Sequence, residues 1–191
     1  MTPVIEATTR LKEVFGILSG DVEVALLLGR KDPSPFAHRT LIRTHFALIE
    51  GLSYQMRQVA LACGMAHPTI LTHEEVGLLR EQQYKLNDKG KPDSSPAYQR
   101  MLPNLLFSMR CYAKAHGGTF EPDTSVHGYG SMKKLIEIRN GLEHPKSAEG
   151  LNFDDDQLEH AMHAASWWKE NMLKLFAVCQ EADEYWKTQL A

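Results

Sequence analysis

Apolar residues recur along this chain at helical spacing, and no stretch alternates convincingly with the period of two that marks a strand. In residues 5–18, Ile5, Leu11, Val14, Phe15 and Leu18 fall near one helical face, which Gly16 weakens. Asp21 is placed to cap a second, short helix ending near Gly29, and Lys31-Asp32-Pro33-Ser34-Pro35 then breaks the chain. The first long helix is expected from Phe36 to about Cys63. Leu41, Phe46, Ile49, Leu52, Met56, Val59 and Leu61 give it a broad apolar face, and His38, Arg39, Arg43, His45, Glu50 and Arg57 a polar one. Gly64 predicts its stop, with Pro68 beyond.

Thr72-His73-Glu74-Glu75 has the form of a capping box, and the helix it opens is read to hold Val76, Leu78, Leu79 and Leu86. Residues 87–96 (NDKGKPDSSP) read as a mobile surface loop. Another helix covers 97–116, with Pro103 in its first turn and Gly117-Gly118 after its end. A loop over 117–130 leads to a helix at 131–144, and a second loop runs from Lys146 to Phe153. Asp154 then caps a last helix, with Gln157 three residues on and an apolar stripe from Leu158 through Trp168 to Cys179. The expected fold is an all-α helical bundle in one domain, 1–191. It has four long helices (near 36–63, 98–116, 131–144 and 155–187) plus shorter N-terminal helices, because each amphipathic helix must bury its stripe against others.

Composition narrows the function classes. With 191 residues and a formal net charge of −3, bulk charge does not mark a nucleic-acid binder, so any basic site is local. Cys63, Cys111 and Cys179 are odd in number and far apart, without a CxxC. They fit a reducing cytosol better than a disulfide framework or a zinc knuckle. No basic segment followed by an apolar run marks a signal peptide, and the longest apolar run, Val24-Ala25-Leu26-Leu27-Leu28, is far too short to span a membrane. The expectation is a cytoplasmic protein with no membrane partner.

Most chemical candidates fall away. His160 and His163 share a helix face, but no ExxH or HExxH accompanies them, and they read as half-exposed surface residues. Asp154-Asp155-Asp156 sits where a helix macrodipole favours acids. No metal site and no cofactor are expected. The cysteines fall in helical apolar patterns and read as inert core thiols. No GxSxG, P-loop or GxGxxG is present. Trp167-Trp168 and Tyr185-Trp186 read as core or dimer contacts rather than as platforms for bases.

What remains is Arg139-Asn140, three residues, then His144, before the helix-stopping Pro145. Arg139 can bind a phosphate bidentately and stabilise developing charge. His144 can exchange protons at cellular pH. Asn140 can orient the histidine or bond a phosphate or ribose oxygen. On a straight helix Arg139 and His144 point about 140° apart at 3.6 residues per turn. They converge only if the helix loosens near Gly141 and ends at Pro145. Lys133, Lys134 and Lys146 add local charge, leaving 133–146 at net +2 after Glu137 and Glu143 are counted (four cations, two anions). The plainer reading pairs Arg139 with Glu143 at i,i+4 and leaves His144 as a cation at a helix C-terminus.

The segment IRNGLEHPKS resembles the signature of the HEPN superfamily, helical-bundle proteins in which an Arg, often followed by Asn, precedes a His by four to six residues. RTHFALIEGLSYQMRQVAL (43–61) is similar to the opening long helix of such domains, and DDDQLEHAMHAASWWKENMLKLF (154–176) to their closing one. The resemblance covers about 36–187, leaving 1–35 and the 87–96 loop as additions. The spacing alone also fits Arg39–His45 and Arg110–His116. The following Asn, the penultimate long helix and Pro145 single out Arg139, Asn140 and His144.

The resemblance implies a metal-independent RNA endonuclease in which the 2′-hydroxyl attacks the adjacent phosphate and leaves a 2′,3′-cyclic end. It also implies a homodimer with the 131–146 helix at or near the two-fold axis, facing motifs in one cleft, and a toxin role in a toxin–antitoxin or defence system with an antitoxin or nucleotidyltransferase partner. Lys133, Lys134, Lys146, Arg43 and Glu50 are the second-rank residues for binding RNA in that cleft. The alternative is a non-catalytic helical module that binds a nucleotide, RNA or a protein partner, as many proteins of this fold do.

Overall fold

The computed structural model describes residues 2–148 and 151–190. Among them are six helices, α1 (Pro3–Lys31), α2 (Pro35–Ala66), α3 (His73–Leu79), α4 (Met101–Ala115), α5 (His127–Glu143) and α6 (Asp155–Leu190). One antiparallel two-stranded sheet, β1 (Gln82–Leu86) and β2 (Pro92–Pro96), lies between α3 and α4. The protein is mostly helical, as the periodicity predicts, and no helix among the described residues is long and apolar enough to cross a membrane. The chain forms two compact units. The first takes Met1–Leu11, Ser53–Phe120 and Val178–Ala191, and the second Lys12–Leu52 and Glu121–Ala177.

The first unit holds a core of Ala60, Leu71, Leu79 and Cys111, with Ile70, Val76 and Phe107 packed against it. The Thr72–Glu75 capping box forms as expected: Glu75 N–H donates to Thr72 Oγ1 at 3.2 Å, and Thr72 N–H to Glu75 Oε2 at 2.7 Å. Two expectations fail here. Gly64 does not end α2, which runs to Ala66. A Cβ at Gly64 would lie 2.8 Å from Leu71 Cδ1, so the glycine serves a close approach rather than a helix stop. The helix opened by Thr72 ends at Leu79, and Leu86 belongs to β1.

The stretch read as a mobile loop is half of a hairpin. Tyr84 pairs with Ser94, and Asn87 N–H donates to Lys91 O at 2.9 Å. Asn87 Oδ1 accepts from both Lys89 N–H and Lys91 N–H at 3.0 Å, and Gly90 takes a φ of 70°. That is an Asx-stabilised turn with glycine at the left-handed position. β1 is exposed at all five positions, so it shows no apolar alternation to read.

α1, which belongs to the second unit from Lys12 onward, is a correction to the expected pair of short helices. It is one helix of 29 residues, unbroken at Gly16 and Gly20. A helix-interior glycine costs about 1 kcal/mol relative to alanine. Continuity is worth more here, because it keeps Val14 and Leu18 over Gly51 of α2, where a Cβ would come within 2.7 Å of Leu18 Cδ1. α5 also begins earlier than expected, at His127 rather than 131. A Cβ at Gly128 would lie 2.5 Å from Trp167 Cβ, so glycine lets the first turn of α5 close onto α6. Trp167 and Trp168 are buried, and Trp167 Nε1–H donates to Asp123 O at 2.7 Å. Asn171, also buried, accepts from Asp123 N–H and donates to Trp167 O, tying the entry of α5 to α6. Asp154 and Gln157 cap α6 reciprocally, as the sequence predicts. The side chain of Trp186 lies outside the described residues.

Candidate functional site

α5 carries the candidate residues to its C-terminal end, where one basic and one acidic side chain of α2, Arg43 and Glu50, meet it. Arg43 donates through Nη2 to Leu142 O at 2.9 Å and through Nε to Glu143 Oε1 at 3.3 Å. It therefore satisfies one of the carbonyls a helix end leaves unpaired and pairs with the last acid of α5. One helical turn back along α5, Arg139 Nη2 lies 2.9 Å from Glu50 Oε1. Its guanidinium carbon stands 5.9 Å from the Phe46 ring centroid. Arg139 thus pairs across to α2. The i,i+4 partner suggested by spacing, Glu143, is taken by Arg43.

Asn140 joins the two ends of the motif. Its Oδ1 accepts from Arg139 Nη1 at 3.4 Å, and its carbonyl accepts from His144 N–H at 3.1 Å. His144 is the C-cap residue, with φ −130° and ψ 63°, and its side chain is exposed. α5 stays helical through Gly141, so the loosening at that position invoked by the spacing is not present. Asn140, Gly141, His144, Lys146 and Ser147 line an open cavity of about 420 Å³. Arg139 does not line it and reaches it only indirectly, through its contact with the Asn140 amide.

The other expected residues divide. Lys146 shares the His144 cavity. Arg43 and Glu50 are held against α5 by the contacts described, each with one carboxylate or guanidinium partner. Lys133 lies 4.5 Å over the Tyr129 ring, and Lys134 pairs with Glu137 at 3.2 Å. Lys134 lines a second cavity of about 440 Å³, together with Ile138, Gly141, Phe153 and His160. Gly141 borders both cavities, and a Cβ there would meet nothing within 4 Å.

A histidine cluster also emerges. The His127 ring stacks 6.1 Å from His160 and meets His163 edge-on at 4.9 Å. The buried Ser131 hydroxyl lies 3.1 Å from His160 Nδ1 and 3.4 Å from His127 Nδ1. Sequence reasoning named His160 and His163 but placed His127 in a loop. The i,i+4 spacing of His127 and Ser131 signals the contact once α5 is known to start at 127. Among the described residues no group of three His, Cys, Asp or Glu side chains is arranged to hold a metal ion. The three cysteines are free and buried, and burial pushes the Cys111 and Cys179 thiols up to about 12, as inert core thiols require.

Arg39 Nη1 donates to Leu151 O at 2.8 Å, and His116 Nδ1 lies 2.9 Å from Asp183 Oδ1. The two other Arg–His spacings in the sequence therefore have structural partners in their own surroundings. No family model, curated protein or solved structure gives a significant match to this chain.

Proposed function

We propose that the chain is a metal-independent RNA endonuclease of the HEPN type. The observation that carries this reading is the Asn140 bridge: one side chain contacts Arg139 and lines an exposed cavity with His144 and Lys146. In this reading a phosphodiester enters that cavity. His144 takes the proton of the 2′-hydroxyl as the 2′-oxygen forms its bond to phosphorus. The bond to the 5′-oxygen breaks, and a second histidine protonates the leaving oxygen. Arg139 stabilises the charge that gathers on the non-bridging oxygens. One chain supplies one Arg and one His, so pairing of two copies through the 131–146 region completes the acid–base pair. The role proposed for the protein is a toxin of a toxin–antitoxin or defence system, acting in the cytoplasm and silenced by an antitoxin or nucleotidyltransferase partner. The test is incubation of the protein with mixed RNA in excess EDTA. Fragments ending in 2′,3′-cyclic phosphate support the reading, and fragments with other ends contradict it.

A second reading has its own observation. Arg139 is 29% exposed and already paired with Glu50, and Arg43 is paired with Glu143. Both guanidinium charges are compensated within the chain, as in a motif kept for structure. On that reading the protein is a non-catalytic helical module. RNA binding or partner binding that persists in Arg139→Ala and His144→Ala variants, without cleavage by the parent protein, would favour it.

A further inference from the structure

α1 carries an apolar face that nothing among the described residues covers. Its Val14 and Leu18 pack over Gly51, and Ala25 is buried. The helical period turns Ile17, Gly20, Val24 and Leu27 away from that contact. Ile17 is 66% exposed, Val24 68% and Leu27 54%. A Cβ at Gly16 or Gly20 would meet nothing within 4 Å. Glycine weakens a helix interior relative to alanine, and no close approach among the described residues calls for it at these two positions.

The spacing of the exposed row is three, four, three, which is the seam of a two-helix pair. Glu13 and Lys31 extend the same row by four residues at either end, and both are exposed. We propose that this face pairs with the same face of a second copy, the two α1 helices running antiparallel about a two-fold axis. In that register Gly20 of each copy receives Val24 of the other, Ile17 meets Leu27, and Glu13 meets Lys31. A parallel pair would set Glu13 against Glu13 and Lys31 against Lys31, so the charges select the antiparallel arrangement. The open glycines let the backbones come close at the centre.

Asp21 and Glu23 flank the seam beside the axis, each near its own copy, and oppose the pairing. The seam spans roughly 27 Å at about 1.5 Å per residue. That is small for a protein interface, so the association is expected to be weak. This contact is independent of α5 and of the nuclease reading. A chain that uses both surfaces assembles beyond a dimer.

Sedimentation equilibrium of the full chain at tens of micromolar tests the pairing, with circular dichroism to show that each variant stays helical. Val24→Asp halves the mass of the parent assembly. Glu13→Lys and Lys31→Glu each weaken association by about tenfold. Combined in one chain they restore it, because lysine again opposes glutamate. Asp21→Asn tightens it. A monomeric parent protein, an unchanged mass for Val24→Asp, or a double reversal no tighter than the single ones would overturn the proposal. So would a monomer that floats with phosphatidylcholine–phosphatidylglycerol vesicles and loses them on Val24→Asp, since the face would then belong to a lipid surface.

Discussion

Arg139 of α5 and Glu50 of α2 form an ion pair, Nη2 to Oε1 at 2.9 Å, with the glutamate side chain 45% exposed. The pair commits the one guanidinium of the motif to a carboxylate within the chain. Glu50→Gln keeps the shape and removes the charge. Because the pair is partly exposed, stability should change by no more than about 1 kcal/mol. The freed guanidinium should bind a short RNA several-fold more tightly, by fluorescence anisotropy at low salt. Unchanged or weaker binding would mean that Arg139 does not contact RNA.

Gly141 and Gly128 sit in the same helix and should respond oppositely to alanine. Gly141 has open space around it, so Gly141→Ala should stabilise the protein by up to about 1 kcal/mol through helix propensity. At Gly128 the new Cβ would meet Trp167 Cβ at 2.5 Å and His163 O at 3.1 Å, atoms that cannot swing aside. Gly128→Ala should cost roughly 1–3 kcal/mol despite the gain in propensity. Urea denaturation of both variants checks the pair. Equal effects would mean that α5 and α6 do not approach closely at Gly128.

His45 makes stability depend on pH. Its ring stands edge-on to Trp168 with centroids 5.6 Å apart, and burial pushes its pKa down from 6.5 to about 4. Between those values the unfolded chain takes a proton that the folded chain refuses. Stability should therefore be unaffected above pH 6.5, fall as the pH drops below it, and level off below about 4. The full loss from this residue is roughly 3 kcal/mol at about 1.4 kcal/mol per pH unit. His45→Leu should remove that part of the acid sensitivity, read from urea midpoints between pH 7 and 4. A parallel pH profile in the variant would show that the imidazole is not the group responsible.

The helices were legible because their stripes are long. Leu41 to Leu61 repeats over several turns, and the Asp154–Gln157 and Thr72–Glu75 caps mark starts by a local hydrogen bond that sequence encodes directly. Glycine was the poor guide. Gly16, Gly64 and Gly128 read as weak points, stops or loop residues, yet all three lie within helices. The helix tolerates Gly16, and the other two positions serve close packing, Gly64 against Leu71 after the chain turns back and Gly128 against Trp167 of a different helix, contacts that helical periodicity does not reveal. The hairpin was missed because its strands are exposed and polar. Its signal was the Asn87-Asp88-Lys89-Gly90 turn, which a search for apolar alternation overlooks. Within the candidate site, spacing and residue type singled out Arg139, Asn140 and His144. The Glu50 and Arg43 contacts that set their charge balance depend on how α2 meets α5, and that lies beyond a linear pattern.

The most direct measurement is RNA cleavage in excess EDTA by the parent protein beside Arg139→Ala and His144→Ala, all at matched concentration and with folding verified. The account predicts cleavage to cyclic-phosphate ends by the parent protein and at least about a hundredfold loss in each variant, the scale of a removed acid–base or charge-stabilising group. Cleavage that survives both substitutions would contradict it.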